Sequence, residues 1–288
     1  MINSVNVVNV INGASFMFND DNCPMQVWTM DVDMRGEDRE RPLEHGLYET
    51  NTYYGRRIFH AEGQLLGDNA GAYMQRRLDL HNALIIPPRS AIRAPLRLDM
   101  QFDGIGPLLQ SYCTLDGYPE LPMAVPNYAL TDYMVAFKSF DPVIYSATQR
   151  SAVLPAPTVT TGAPFPLVFP VDFSASSGSD GLATNSGNIT TYPRAVITGP
   201  VTNPRLTNLD KNETLRFDGL ILNGGDSVTV DFKQRVALSS AGGNFYGTIT
   251  SDSSFWTLEP GDNTFRFTAD RASAPSNVIL YWHDAYML

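Results

Sequence analysis

The sequence predicts a mainly β protein in two domains, with a single helix in the first half and a β-sandwich or jelly roll in the second. Three observations carry this. Hydrophobic residues make up 43% of the 288-residue chain and charged residues only 17%, with 22 Gly and 20 Pro, and the many Val, Thr, Tyr and Phe favour strands and tight turns over helices. Several segments alternate apolar and polar residues with a period of two. Only one segment has both the period and the end signals of a helix.

The first strands run from Val5 to Val10 and from Ser15 to Phe18. They are joined through Asn12-Gly13, a pair suited to a type I′ hairpin turn. Between Gln26 and Met34, the residues Trp28, Met30, Val32 and Met34 share one face, and Thr29, Asp31 and Asp33 the other. One face is therefore expected to pack and the other to meet solvent or a partner. Arg35 to Glu44 is a charged run of mixed sign; it reads either as a solvated connection or as a subunit contact built from ion pairs. Ile58 to Leu65 is the next strand. Asp68 or Asn69 then caps a helix that runs to about Ile86, where Pro87-Pro88 stops it. Tyr73, Met74, Leu78, Leu80, Leu84 and Ile85 form its apolar arc. Arg77 and His81 fall inside that arc, so each needs a partner or a route to water. Strands from Leu96 to Phe102, Leu108 to Leu115 and Asp132 to Ser139 complete this half, which Phe140-Asp141-Pro142 closes.

From Ala152 to Pro170 the chain is rich in Pro, Thr, Ala and Gly and nearly uncharged, the composition of a junction. We set the domain boundary near Val153, giving domains of residues 1–153 and 154–288. The second half then reads as short strands between turns. These are Pro166 to Phe173, Ala195 to Thr198, Thr214 to Leu222, Ser227 to Phe232, Arg235 to Ser239, Thr264 to Thr268 and Asn277 to Asp284. A Ser/Gly-rich loop is expected from Ser174 to Gly187, and a turn at Asn223-Gly224-Gly225-Asp226. Strands in this rhythm without intervening helices indicate a sandwich or jelly roll.

The composition excludes several functions. A net charge of −10 argues against a surface that grips nucleic acid, because phosphate binding needs clustered Lys and Arg. The two cysteines, Cys23 and Cys113, lack metal-site spacing and read as buried thiols. No apolar run approaches the length of a membrane span, and the chain is expected to fold in the cytosol. The four histidines are scattered. His60-Ala61-Glu62 lacks the cysteines that would make it half of a deaminase site, and on a strand its two polar residues are neighbours on one face. No nucleophile elbow, phosphate loop or dinucleotide fingerprint is present. Asp31 and Asp33 read as polar positions on an exposed strand face, with calcium binding as the alternative. No catalytic residue, metal ligand or cofactor is expected.

The second half contains an ordered series of motifs: Tyr192 to Pro200, Asn203-Pro204-Arg205-Leu206, Gly224 to Asp231, Gly243-Asn244-Phe245-Tyr246 and Phe255 to Thr264. Trp256 and Leu258 are expected to anchor the Pro260-Gly261-Asp262-Asn263 turn to the core. This series resembles the C-terminal domain of the siphophage distal tail protein family. More loosely, His45-Gly46, Tyr54-Gly55-Arg56, Gly63, the helix with Arg76, Arg77 and Leu78, and Asp141-Pro142 follow the same family's order. The resemblance implies a β-sandwich-like N-terminal domain that builds a homo-oligomeric ring, usually a hexamer. It also implies a galectin-like C-terminal domain that points outward. Such a ring joins the tail tube to the tip or baseplate of the virion and leaves a channel through which DNA passes without being specifically bound. Its partners are the tail tube protein and the tail tip proteins, with no membrane, and assembly takes place in the host cytoplasm. Ring contacts are expected in the N-terminal half at Arg35, Glu37, Arg39, Arg56, Arg76 and Arg77, and Asp31 and Asp33 are expected to face the channel, where carboxylates repel phosphate within about 8–10 Å. Two other readings stay open: a sugar- or receptor-binding sandwich using exposed Tyr281 or Tyr246, and a glycosidase built on a carboxylate pair.

Overall fold

The computed structural model describes residues 2–36, 39–40, 47–48, 51–86, 92–103, 105–122, 130–157 and 178–288. The strand expected from Pro166 to Phe173 lies outside them. The chain packs as two compact units: Met1–Ala147 with Met287–Leu288, and Thr148–Tyr286.

The first unit is built from β1 (Ile2–Asn9), β2 (Ser15–Phe18), β3 (Met25–Arg35), the two-residue strands β4 (Arg39–Glu40) and β5 (Leu47–Tyr48), and β6 (Tyr53–Leu66). Helix α1 (Ala70–Leu84), β7 (Leu96–Phe102), β8 (Ile105–Leu115), β9 (Leu130–Ser139) and the start of β10 (Ile144–Pro155) follow. Antiparallel strands run in the orders β2-β1-β7-β8 and β3-β6-β9-β8. Strand β8 serves both layers: it pairs with β7 from Ile105 to Cys113 and with β9 at Thr114 and Leu115. The layers meet through their apolar faces, where the Phe18 ring of β2 lies 5.4 Å from Tyr133 and 6.4 Å from Phe137 of β9. Val5, Val7, Phe59, Leu65, Leu98, Met100 and Val135 have no exposed surface between them. The expected sandwich-like domain with one helix is therefore the observed one.

Several local expectations change. The β1–β2 connection is not a type I′ turn: of Asn12 and Gly13 only Gly13 has a positive φ, at 74°. The hairpin is closed instead by the Asn9 N–H donating to the Ala14 carbonyl at 2.8 Å. Helix α1 is capped by the Asn69 side chain, which accepts the Ala72 N–H at 2.9 Å. It buries Tyr73, Leu80, Ala83 and Leu84, a narrower arc than the sequence suggests, because it rests on β1, β2 and β6 along one stripe. Met74, Leu78 and Ile85 stay exposed. Arg77 finds its partners in backbone, donating to the carbonyls of Leu121 and Pro122 at 2.6 Å each. On β3, the Trp28 ring packs 5.7 Å from Phe59, but Met34, expected on the packing face, is 67% exposed. Among the described residues β3 pairs with β6 alone, and Met34 lies near its end, past the register shift that follows Val32.

The second unit holds the rest of β10, then β11 (Ser179–Asn185), β12 (Arg194–Thr198), β13 (Val201–Thr202), β14 (Arg205–Asn208), β15 (Glu213–Arg216) and β16 (Ile221–Leu222). It continues with β17 (Ser227–Asp231), β18 (Val236–Ser239), β19 (Gly261–Thr268), β20 (Arg271–Ala272) and β21 (Asn277–Tyr286). One layer has the order β18-β17-β12-β21 and the other β11-β19-β14-β15, with β16-β13-β20 as a short third sheet. Ala195, Ile197, Val228, Val230, Val278 and Leu280 of the first layer face Ala183, Leu206, Leu215, Phe265 and Phe267 of the second. This is the expected sandwich. Part of the anticipated Ser174 to Gly187 loop is strand β11, whose glycine hid it. A Cβ on Gly181 would meet Leu154 at 3.1 Å and the Phe265 ring at 3.2 Å, so the residue type is set by close packing. The expected strand Thr214 to Leu222 is two strands, broken at Gly219 with φ 78°. Strand β10 runs into the span read as a junction because Leu154 is a core residue.

The segment from Trp256 to Asn263 is the centre of this unit. Trp256 is buried 4.6 Å from the Phe232 ring, and Leu258 exchanges both backbone bonds with Thr191, at 2.8 and 2.9 Å. Three buried asparagines hold the rest. The Asn263 carboxamide donates to the carbonyls of Glu259 at 2.8 Å and Gly261 at 3.0 Å and accepts the Glu259 N–H at 2.8 Å. Asn208 donates to the Thr257 carbonyl and Asn185 to the Leu258 carbonyl, both at 3.4 Å. An irregular segment in a core must have its backbone groups satisfied, and these side chains do it.

Replacing Asn263 by Ala strands several of those groups, each worth about 1–3 kcal/mol. We expect urea unfolding followed by Trp fluorescence to show a loss of about 2–3 kcal/mol. In the first unit, burial pushes the Cys23 thiol from 9.0 to about 12, with neighbouring Asp20 adding to the rise, and burial raises Cys113 and Tyr133 as well. The folded state thus keeps protons that the unfolded chain releases. Stability from these groups is whole below pH 9.0, the unfolded thiol value, and falls as pH rises from there toward 12. Denaturant titrations between pH 8 and about 11 should show this decline, and neither thiol should react with a soluble disulfide reagent in the native protein at neutral pH.

Candidate assembly surface

The layer β3-β6-β9 has one face in the core and one toward solvent. Along β6 the inward positions are Arg57, Phe59, Ala61, Gly63 and Leu65, and the outward ones Arg56, Ile58, His60, Glu62, Gln64 and Leu66. The register carries that outward face across the sheet. Ile58 stands opposite Asp31 and Lys138, His60 opposite Thr29 and Ala136, and Glu62 opposite Val27 and Met134. His60 and Glu62 are neighbours on one strand face, as their spacing predicts.

The face is acidic. Asp31, Asp33, Glu62, Asp132 and Asp116 lie on it with Arg56 and Lys138. Arg56 Nε pairs with Asp33 at 2.7 Å and Lys138 Nζ with Asp116 at 2.8 Å. The Lys138 ammonium, by hydrogen bond, holds the Asp116 carboxyl below its usual range. Asp31 accepts from the Thr29 hydroxyl and Asp132 from the Gln64 amide. Asp31, Glu62 and Asp132 have no Lys or Arg partner among the described residues, so the face keeps negative charge after its ion pairs form.

The β3 edge is distinctive. Among the described residues no backbone hydrogen bond leaves residues 26–35 other than those to β6. Eleven residues make an edge of about 35 Å. Two other outer edges are covered. The outer edge of β15 is closed by Thr250 N–H to Arg216 and Ser254 N–H to Thr214, at 3.0 and 2.9 Å. The outer edge of β18 is closed by Phe245 N–H to Ala237 at 2.8 Å. Val27 and Met34 are exposed on β3, and Tyr53 and Tyr54 at the start of β6.

The other residues singled out from the sequence are dispersed. Arg35 is exposed at the end of β3. Glu37 and the side chain of Arg39 lie outside the described residues. Arg76 pairs with Asp20 at 3.2 Å, and Arg77 with the carbonyls of Leu121 and Pro122. Tyr281 has the Arg194 guanidinium 5.4 Å above its ring, and Tyr246 stacks on Phe255 at 6.5 Å. Trp282, which alternates with Tyr281, is buried and donates to the Thr184 carbonyl at 3.1 Å. Among the described residues no group of three or more His, Cys, Asp and Glu side chains is arranged to hold a metal ion. Sequence reading passed over Arg57 and the three asparagines. The available signal was parity: Asn185 and Asn208 occupy inward positions of alternating strands, where a polar group must have a dedicated partner.

Comparison with known proteins agrees with this architecture. Residues 186–286 match the family described as siphovirus-type tail component, C-terminal domain. The chain is similar in fold to the SPP1 phage Dit protein, described as a paradigm of the hub of the adsorption apparatus in phages that infect Gram-positive bacteria. The identity is 12%, over 89% of this chain and 88% of that one, with a TM-score of 0.58. A chain of the phage P2 baseplate in its activated, calcium-containing conformation is similar at 9% identity over 98% of both chains, with a TM-score of 0.51. No curated protein sequence matches the chain.

Proposed function

We propose that the protein is the structural hub of a siphophage tail: a homo-oligomeric ring, built by the first unit, that joins the tail tube to the tip or baseplate proteins and leaves a channel for DNA. The observation that carries this reading is the tail-component match over residues 186–286 on a chain similar in fold to the SPP1 hub protein. The role is mechanical and requires no catalytic group, cofactor or metal, and its site is the tip of the virion tail. A hexamer is the expected stoichiometry, assembled in the host cytoplasm.

The uncovered β3 edge supports a ring contact with a second copy. A long unpaired edge recruits strands from other chains unless it is blunted, and the outer edges of β15 and β18 are covered in this protein. Arg35 sits at the end of this edge, and Arg56 beside it in the Asp33 pair, so both belong to the proposed contact region. The acidic outward face supports a channel lining in which Asp31 and Asp33 repel phosphate and keep the genome moving.

Negative-stain electron microscopy of the purified full chain should show rings with a central hole. A monomer at every concentration sinks the reading. Substituting lysine at both Val27 and Met34 charges the β3 edge without touching the core; rings should be lost while the melting temperature of the monomer stays within about 2 °C. Rings that persist in this variant remove β3 from the contact. A reconstruction with Asp31 and Asp33 on the outer wall removes them from the channel.

A further inference from the structure

Arg57 is a charge with no exposed surface. It lies on the inward face of β6, opposite Ser139 of β9 and Val32 of β3. Its Nε donates to the Pro142 carbonyl at 2.7 Å, Nη1 to the Leu288 carbonyl at 3.0 Å, and Nη2 to the Met287 sulfur at 2.9 Å. The Pro142 turn is fixed on the same strand end by the Ser139 hydroxyl, which donates to the Asp141 carbonyl at 2.7 Å. A buried guanidinium is tolerated only when its donors are satisfied. Here two of the three acceptors come from residues 287–288, which pack with the first unit although the whole of the second unit, residues 148–286, precedes them in the chain.

We propose that Met287–Leu288 form a completion latch: the first unit reaches its stable, assembly-ready form only when these residues dock on Arg57, so chains broken off within the second unit are kept out of the oligomer. Until residues 287–288 are made, the guanidinium has the Pro142 carbonyl and the nearby Asp141 charge but lacks its other two acceptors, and β6 and β9 lack the residues that close over it. Synthesis from the N-terminus therefore leaves the first unit incomplete until the second has been translated. An interface exposed on half-made chains would invite premature pairing through the β3 edge, and a latch made after the second unit suppresses it. The folding part of this proposal stands alone; the exclusion from the oligomer rests on the ring reading above.

The test uses the full chain, the chain lacking residues 287–288, Arg57→Met, and the two changes combined. The buried thiols Cys23 and Cys113 report opening of the first unit, since both have no exposed surface. In the full-length background the deletion should speed thiol labelling under native conditions by about 100-fold or more, the consequence of leaving a buried charge unpaired. In the Arg57→Met background the same deletion should change the rate less than about tenfold, since no charge is left to satisfy. An unchanged rate in the first background, or an equal acceleration in both, overturns the latch. If the two-residue deletion gives no soluble protein, removing Leu288 alone withdraws one acceptor and should accelerate labelling about tenfold; no effect overturns the proposal equally. Mixed with full-length chains, the deletion variant should be absent from rings, and its presence at its input ratio overturns the exclusion. If the full chain itself forms no rings, the ring reading fails while the labelling result still judges the latch.

Discussion

Polar groups inside both sandwiches have to be satisfied by specific partners, and the irregular parts of this molecule are arranged around that requirement. Strand ladders satisfy backbone amides as they form. The segment from Thr257 to Gly261 has a single ladder bridge, Leu258 with Thr191, and runs from the core beside Trp256 to an exposed turn at residues 259–261. Asn185, Asn208 and Asn263 add amide donors to its carbonyls. Loss of Asn263 would remove the buried amide that ties this turn to the core, where a polar group needs a dedicated partner. The apolar contacts of Trp256 and Leu258 give that segment its burial, and the asparagines give it its path.

The same logic operates at Arg57, with a charge in place of an amide. A methionine there would pack with less demand on its surroundings. The arginine instead places its donors on the Pro142 carbonyl and on residues 287–288. A buried guanidinium is tolerated only with such partners.

The outward face of β3, β6 and β9 obeys the opposite rule. Its polar groups are in water and its ion pairs, Arg56 with Asp33 and Lys138 with Asp116, are partly exposed and screened, so they contribute little to folding. What they leave is a surface with residual negative charge bordered by an unpaired strand edge. Neither property stabilises the monomer. Both fit a surface completed by other copies of the chain, with the charge turned toward something that must not adhere.

Much of this was readable from the order of residues. Period-two alternation located β1, β2, β7 and β9, because side-chain direction in a strand is a local property that one segment fixes alone. The Asn69 cap and the double proline framed α1 for the same reason. The motif series in the second half pointed to the tail family that residues 186–286 match. Tertiary structure decided the rest, because the deciding partners are remote in sequence. Gly181 looked like a loop residue until Leu154 and Phe265 were seen to press on it. Met34 shared the parity of a core residue but lies past the register shift near the end of β3. The partners of Asn263 lie close by in sequence, but those of Asn208 and Asn185 lie 49 and 73 residues away, and Leu288 is 231 residues from Arg57. Sequence alone determined which residues face inward or outward along most strands and which family the second half resembles. Only the folded chain determined which inward polar groups are satisfied, by whom, and that β3 pairs with β6 alone among the described residues, since hydrogen-bond partnership across layers has no local signature.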